Sequence, residues 1–346
     1  MKHAVRWAPG GRRRTRVSNA GRRDDATWLG AFRGAERDLG HPYLLIKIAV
    51  TDIDPLIVAF GRTALASVLL LPVVLYRRAL TPVLRRWKWL LLYTVVEISG
   101  PWLLLGRAET RLNSSTAGLL IAVVPMIAAI VLTVTGHDRL DRRRVAGLAI
   151  GFAGVGALVG LDIHLDDLSA VGALLLVAIG YAIGPIIINR KLADLPPMGV
   201  IAGSLILATV IYAPFTVPVW PDAITAPAAW SIVALAVVCT AAAFLIFFAL
   251  IAEAGPARAT VITYVNPAVA ITLGVLVLDE PLTIGMAIGF PLVIVGSVLA
   301  TSRRTIPAAE PTVLPTDVLA TNPHPDDARP GDDNGARTAI SRPGAE

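Results

Sequence analysis

Runs of about 18–22 apolar residues with few charges recur along this chain, and no other feature restricts its fold so severely. Roughly 20 residues of helix are needed to cross a hydrocarbon core about 30 Å thick. The runs do not alternate with a period of two and are too long for barrel strands. In lipid the backbone must satisfy its own N–H and C=O groups, so such runs cross as helices. Nine spans read clearly, at 55–76, 88–107, 114–135, 145–161, 168–188, 198–219, 228–251, 257–278 and 282–301. With 55% apolar and 16% charged residues, the fold class is all-α integral membrane.

A second feature organises these spans. Much of the chain recurs 142 positions further on. Pro55, Pro72 and Pro125 return as Pro197, Pro214 and Pro267, and Gly61, Gly147 and Gly154 return as Gly203, Gly289 and Gly296. Prolines and glycines are informative markers because they punctuate helices and are costly elsewhere. The offset predicts two units, residues 26–161 and 168–302, each of five helices. The first helix of the first unit is then atypical. YLLIKIAV at Tyr43–Val50 is too short to cross, and the stretch before it carries Arg33, Glu36, Arg37 and Asp38. Each of these charges would cost on the order of 3 kcal/mol at mid-membrane. Either this first helix is defective, or its charges face a wet cavity, or residues 1–42 carry a frame or start-site error; the last is the favoured reading, which resequencing checks.

Loop charge sets the orientation. With ten helices and the N terminus inside, the inner loops and the stretch after the last helix carry fourteen Lys and Arg residues, among them Arg85, Arg86, Lys88, Arg190 and Lys191. The outer loops carry only Arg107 and Arg111. This bias predicts both termini in the cytoplasm and a multi-pass protein of the cell (inner) membrane. Five is an odd number, so the second unit crosses in the opposite sense and the repeats are inverted. Such a scaffold can exchange two nearly equivalent conformations open to either side. Residues 1–25 read as a disordered basic arm, with contact to anionic lipid as the alternative. Residues 305–346 read as a disordered acidic and Pro-rich tail.

The composition also removes whole classes of function. The lone Cys239 excludes an intramolecular disulfide and a cysteine metal site. The five histidines are scattered without ligand spacing. No Walker loop or Ser/His/Asp set is present, so no cofactor or metal is expected. The net charge of +6 lies in short loops beside helices, so the reading includes no nucleic-acid partner. A small-molecule substrate and the lipid bilayer are the expected partners.

The candidate residues are polar groups inside apolar spans. Glu97 stands midway in LLYTVVEISGPWLLLG. An ionised carboxylate there must face the interior, be protonated or be paired, which points to proton coupling or a cationic substrate; a buried structural carboxylate is the plain alternative. Gly100-Pro101 follows one turn later and kinks the helix, favouring a cavity. Arg62, in FGRTALAS, and Lys47, in LLIKIAV, can bind an anionic group, pair with Glu97 or snorkel outward. Pro125 and Pro267 each free a carbonyl that can line a cavity, and Tyr264, Asn266 and Trp102 are candidates for its wall. Gly147, Gly151, Gly154, Gly289 and Gly296 permit close helix packing, within one chain or in a homodimer.

Taken together, these segments resemble the EamA-like family of the drug/metabolite transporter superfamily, over roughly residues 40–302. The likeness rests on DPLIVAFGRTALASVLLLP, SSTAGLLIAVVPMIAAI and GHDRLDRRRVAGLAIGFAGVGALV in the first unit. In the second it rests on GPARATVITYVNPAVAITLGVLVLDEPLTIGMAIGFPLVIVGSVLA. The resemblance places Arg62 at the family's usual second-helix position and Glu280 at its acidic position before the last helix. It implies ten transmembrane helices around a central cavity and secondary transport of a metabolite, amino acid or drug, usually efflux by alternating access. The family normally has an apolar first helix with a Trp-Gly pair before the lysine, where this chain reads LGHPYLLIK. A non-transporting membrane scaffold or a membrane-integral enzyme is the competing class. The inverted repeat argues against the first, and the missing catalytic set against the second.

Overall fold

The computed structural model describes residues 42–136, 140–246 and 262–301 of the chain, with side chains described from residue 265 in the last segment. The basic arm, the charged stretch 26–41 and the acidic tail lie outside the described residues. Among the described residues every regular element is helical. Eight helical segments are long and apolar enough to cross a membrane, and Val265–Val277 is a shorter apolar helix. Part of the expected span 257–278 falls outside the described residues.

The helices are α1 (Pro42–Asp52), α2 (Pro55–Tyr76), the short α3 (Leu80–Leu84), α4 (Trp87–Tyr93) and α5 (Gly100–Glu109). These are followed by α6 (Ser114–Ile121), α7 (Val124–Val134), α8 (Arg142–Asp162), α9 (Leu168–Ile187), α10 (Pro197–Thr216) and α11 (Ala226–Ala236). The last two are α12 (Ile262–Val277) and α13 (Ile284–Thr301). The α2, α8 and α11 starts follow their local sequences. Asp54 accepts from Leu56 N at 2.8 Å, Asp141 from Arg144 N at 2.8 Å and Thr225 from Ala228 N at 3.3 Å. Each satisfies one of the N–H groups that a helix start leaves without an intrahelical acceptor. Pro55 and Pro197 open their helices, where a missing N–H costs nothing.

Three spans contain π-helical turns, at Thr94–Ser99, Ile188–Leu192 and Val237–Ala242. The first explains the geometry at Pro101. Pro101 has no N–H for the carbonyl one turn back, and Gly100 N donates instead to Val95 O, five residues earlier. The first and third π turns begin 143 positions apart.

Pro125 behaves differently from the kink its position suggests. Ala122 N and Val123 N reach only three residues back, to Leu119 O at 3.2 Å and Leu120 O at 3.4 Å. The helix stops there, and Pro125 lies at the start of α7. Pro267 lies inside the continuous α12.

Helices α8 and α13 pack backbone against backbone. A Cβ at Gly147 would lie 2.6 Å from Ala300 N, and one at Gly154 would lie 2.9 Å from Gly289 O. A Cβ at Gly296 would strike Gly151 N and Cα. Only hydrogen fits at this crossing. By contrast, Gly156 and Gly160 meet nothing within 4 Å, so four-residue glycine spacing alone does not identify a contact face.

Candidate functional site

Arg62, two turns into α2, is a buried charge, 8% exposed. Its position on the helix turns it inward, so snorkelling to the headgroups, one of the sequence alternatives, is not what it does. Nε donates to Thr240 Oγ1 at 2.8 Å, and Nη2 lies 3.5 Å from Cys239 O. Both acceptors sit in the π turn after α11. Thr240 is itself anchored, its hydroxyl donating to Leu235 O at 2.7 Å. The guanidinium carbon lies 3.6 Å from the centre of the Trp102 ring, a cation–π stack. Tyr181 of α9 lies beside the Trp102 indole, near Arg62 and Glu97. Tyr212 of α10 closes another side by donating to Ser99 O at 2.6 Å. The tyrosines went unread in the sequence because a single tyrosine in an apolar span looks like core.

Glu97 occupies the first π turn. Its Oε2 is buried and has no hydrogen-bond partner among the described residues. The carboxyl presses on the glycine face of α9, where a Cβ at Gly184 would lie 2.6 Å from Glu97 Cδ. One turn back, a Cβ at Gly180 would lie 3.0 Å from Pro101 Cγ. Glycine at both positions lets α9 approach the bulged turn and enclose the acid.

The pairing of Glu97 with Arg62 or Lys47, left open by the sequence, is not made. Arg86 is paired instead with Asp194, at the end of the bundle. Arg62 is turned to Thr240 and Trp102. Lys47 Nζ donates to Glu109 O at 2.6 Å and Leu112 O at 3.0 Å, closing the C-terminal end of α5. A cation suits that site because the terminal carbonyls carry the negative end of the helix dipole.

Glu109 is a polar centre that sequence reasoning missed. It is fully buried, and neither carboxyl oxygen has a hydrogen-bond partner among the described residues. The Lys47 ammonium lies on its backbone carbonyl, and Glu280 is a further charge nearby. In RAETRLNSS it reads as a loop acid, and its burial depends on tertiary packing that the local sequence does not contain.

Glu280 is also not the solvent-facing acid its turn suggests. Oε1 accepts from Ser114 N at 2.7 Å, and Oε2 from Ser115 N at 3.0 Å and Ser115 Oγ at 2.5 Å. The carboxylate caps α6 from a distant part of the chain, at the positive end of that helix. Asp279 makes this reach possible. Its φ of 52° lets Glu280 N fold back onto Gly274 O at 3.0 Å, and aspartate tolerates the left-handed region better than most residues. Beside this cap lies a cavity of about 470 Å³ lined by Lys47, Asp52, Asn113 and Glu280.

Asn266 Oδ1 is buried without a partner among the described residues. The Tyr264 side chain lies outside them.

Apolar spans enclosing an arginine, two glutamates and several tyrosines define a helical membrane protein with a charged interior. A model of the EamA-like transporter family matches residues 40–160 and again residues 168–302. The chain belongs to this family and is a membrane transporter. It is 25% identical over 271 residues to the uncharacterized transporter YvbV of Bacillus subtilis (strain 168), covering 75% of this chain and 86% of YvbV. It is 27% identical over 283 residues to the uncharacterized inner membrane transporter YedA of Escherichia coli (strain K12), covering 80% and 91%. A solved crystal structure shares the fold at a TM-score of 0.57 and 19% identity, covering 82% of this chain and 98% of that one.

Proposed function

We propose that this protein is a secondary transporter that exports a small organic solute by alternating access. In this reading ten membrane helices form two inverted five-helix units, with both termini in the cytoplasm and the chain in the inner membrane. The observation that carries the reading is the seat of Arg62. A residue of the first family-matched segment is held by Thr240 and Cys239 of the second. It faces Trp102, with Glu97 in a π turn one helical turn before it in sequence. A charged site that both segments share is remade when they rock against each other. π turns recur at functional sites because the extra residue loosens the helix and frees a carbonyl. The near-equal placement of the turns at Thr94–Ser99 and Val237–Ala242 supports the two-unit reading.

Glu97 is the proton-coupling group in this scheme, or the contact for a cationic solute. Arg62 and Trp102 bind the solute's anionic or π face. The cap of Glu280 on α6, with Lys47 on the end of α5, closes the outer side.

The test is flux in proteoliposomes. Metabolites retained by a deletion strain and lost from an overexpressing strain supply the candidate solutes. Saturable uptake or counterflow of one of them, absent from empty liposomes, is the expected result. Failure of every retained metabolite to move, with and without a pH gradient, would overturn the proposal in favour of a scaffold.

A further inference from the structure

A basic pocket lies far from the buried site, where two spans end side by side. One span begins at Trp87 and the other finishes at Leu192. Arg86 fastens them together. Its guanidinium donates to both oxygens of Asp194, at 2.8 and 2.7 Å, and to Lys191 O at 2.7 Å. Around this link Arg85, Arg86, Lys88, Arg190 and Lys191 line a cavity of about 350 Å³ together with Trp87 and Trp89. Asp194 is taken up by Arg86, and Arg85, Lys88 and Lys191 meet no carboxylate among the described residues.

The tryptophans shape this pocket. Lys191 Nζ lies 4.6 Å from the centre of the Trp89 ring and Lys88 Nζ lies 5.8 Å from that of Trp87. Both distances are within the range of cation–π attraction. The rings therefore hold two ammonium groups at the pocket instead of leaving them to spread into solvent. Trp87 is 55% exposed, and Leu92, further along the same span, is also exposed. Exposed indoles at span ends lie at headgroup depth.

We propose that this pocket binds the phosphate headgroup of an anionic phospholipid, with an acyl chain running along the exposed face beyond Trp89. A phosphodiester supplies the negative charge that Arg85, Lys88 and Lys191 do not find in a carboxylate among the described residues. The indole rings and Leu92 supply apolar surface that a soluble anion would leave unused. Basic pockets between helix ends are a recurrent way to hold such headgroups. Under the orientation proposed above, the pocket opens to the cytoplasmic leaflet. Binding itself does not depend on that orientation or on transport.

The experiment uses the purified full chain in a neutral detergent and reads the half-saturating concentration for thermal stabilisation. Three probes are compared: dioleoylphosphatidylglycerol, dioleoylphosphatidylcholine and inorganic phosphate. The phosphatidylglycerol is expected to stabilise saturably and the other two not. In R85Q/K88Q the half-saturating concentration is expected to rise about fivefold per charge removed. R142Q/R143Q, which removes two exposed arginines at the start of α8, is expected to bind as the wild type does. Both altered positions in the first pair are exposed, and the single variants K88Q and R85Q carry the same test if the double variant does not purify. Equal stabilisation by phosphatidylcholine would overturn the proposal. So would an unchanged midpoint in R85Q/K88Q, or an equal loss in R142Q/R143Q. Equal stabilisation by inorganic phosphate would replace the lipid with a soluble anion and overturn it too.

Discussion

Arg62 and Trp102 are stacked in the bundle interior, guanidinium carbon to ring centre 3.6 Å, while Arg62 Nε is spent on Thr240 at 2.8 Å. The arginine is thus held on one edge by a hydroxyl and on one face by an indole. A lysine there would keep the charge but lose the planar fork and the stack. Arg62→Lys is expected to lower solute flux about tenfold or more, since a desolvated cation–π contact contributes about 2 kcal/mol. Trp102→Ala is expected to do the same, while Trp102→Phe keeps part of the stack and part of the flux. Initial rates in proteoliposomes at equal protein content check the series.

Glu97 is the only acid in the first π turn, and no described side chain bonds its Oε2. Glu97→Gln removes the titratable group and keeps the shape. The variant is expected to lose uphill transport driven by a pH gradient and to retain solute exchange. Counterflow and gradient-driven uptake, measured side by side, separate the two. Wild-type uptake indifferent to the pH gradient would speak against coupling at this residue.

Gly184 has no room for a side chain beside the Glu97 carboxyl, since its Cβ would meet Glu97 Cδ at 2.6 Å. Gly184→Val is expected to push α9 off the π turn and cost about 1–3 kcal/mol, the usual penalty for overpacking. Flux should fall along with the thermal unfolding midpoint in detergent.

The α8–α13 crossing offers a sharper comparison. Gly296→Leu is expected to lower the unfolding midpoint, because its Cβ alone strikes the Gly151 backbone. Gly156→Leu lies on the same α8 and meets nothing within 4 Å, so its midpoint is expected to stay near wild type. A similar loss in both would mean that glycine acts there through something other than the crossing.

Glu280→Ala removes three hydrogen bonds at the start of α6. A lost cap costs about 1–2 kcal/mol, and Glu280→Gln, which keeps an acceptor, is expected to lose less. Hydrogen exchange should report faster exchange at the Ser114 and Ser115 amides in the alanine variant, with the centre of α8 unaffected.

Much of the fold was legible in the residues because the signals were local. Hydropathy summed over a span marks a membrane helix wherever its neighbours lie, and Pro55 and Pro197 open helices where their local chemistry favours it. Pro125 was less legible. It and Pro267 look equivalent in sequence, yet one follows a break and the other sits in a continuous helix.

The sequence by itself determined the class of protein, the position of eight of its spans and most of the charges inside them, Glu109 excepted. Burying a charge or exposing a backbone in lipid is costly in any arrangement, so those conclusions needed no coordinates. Only the tertiary structure decided what each charge meets. Arg62 finds Thr240 across 178 residues and Ser114 finds Glu280 across 166. Lys47 turns to the end of α5 instead of Glu97, and Glu109 is buried although its sequence reads as a loop. These contacts join distant segments, and a side chain's partner is set by which helices pack together, a property no local window contains.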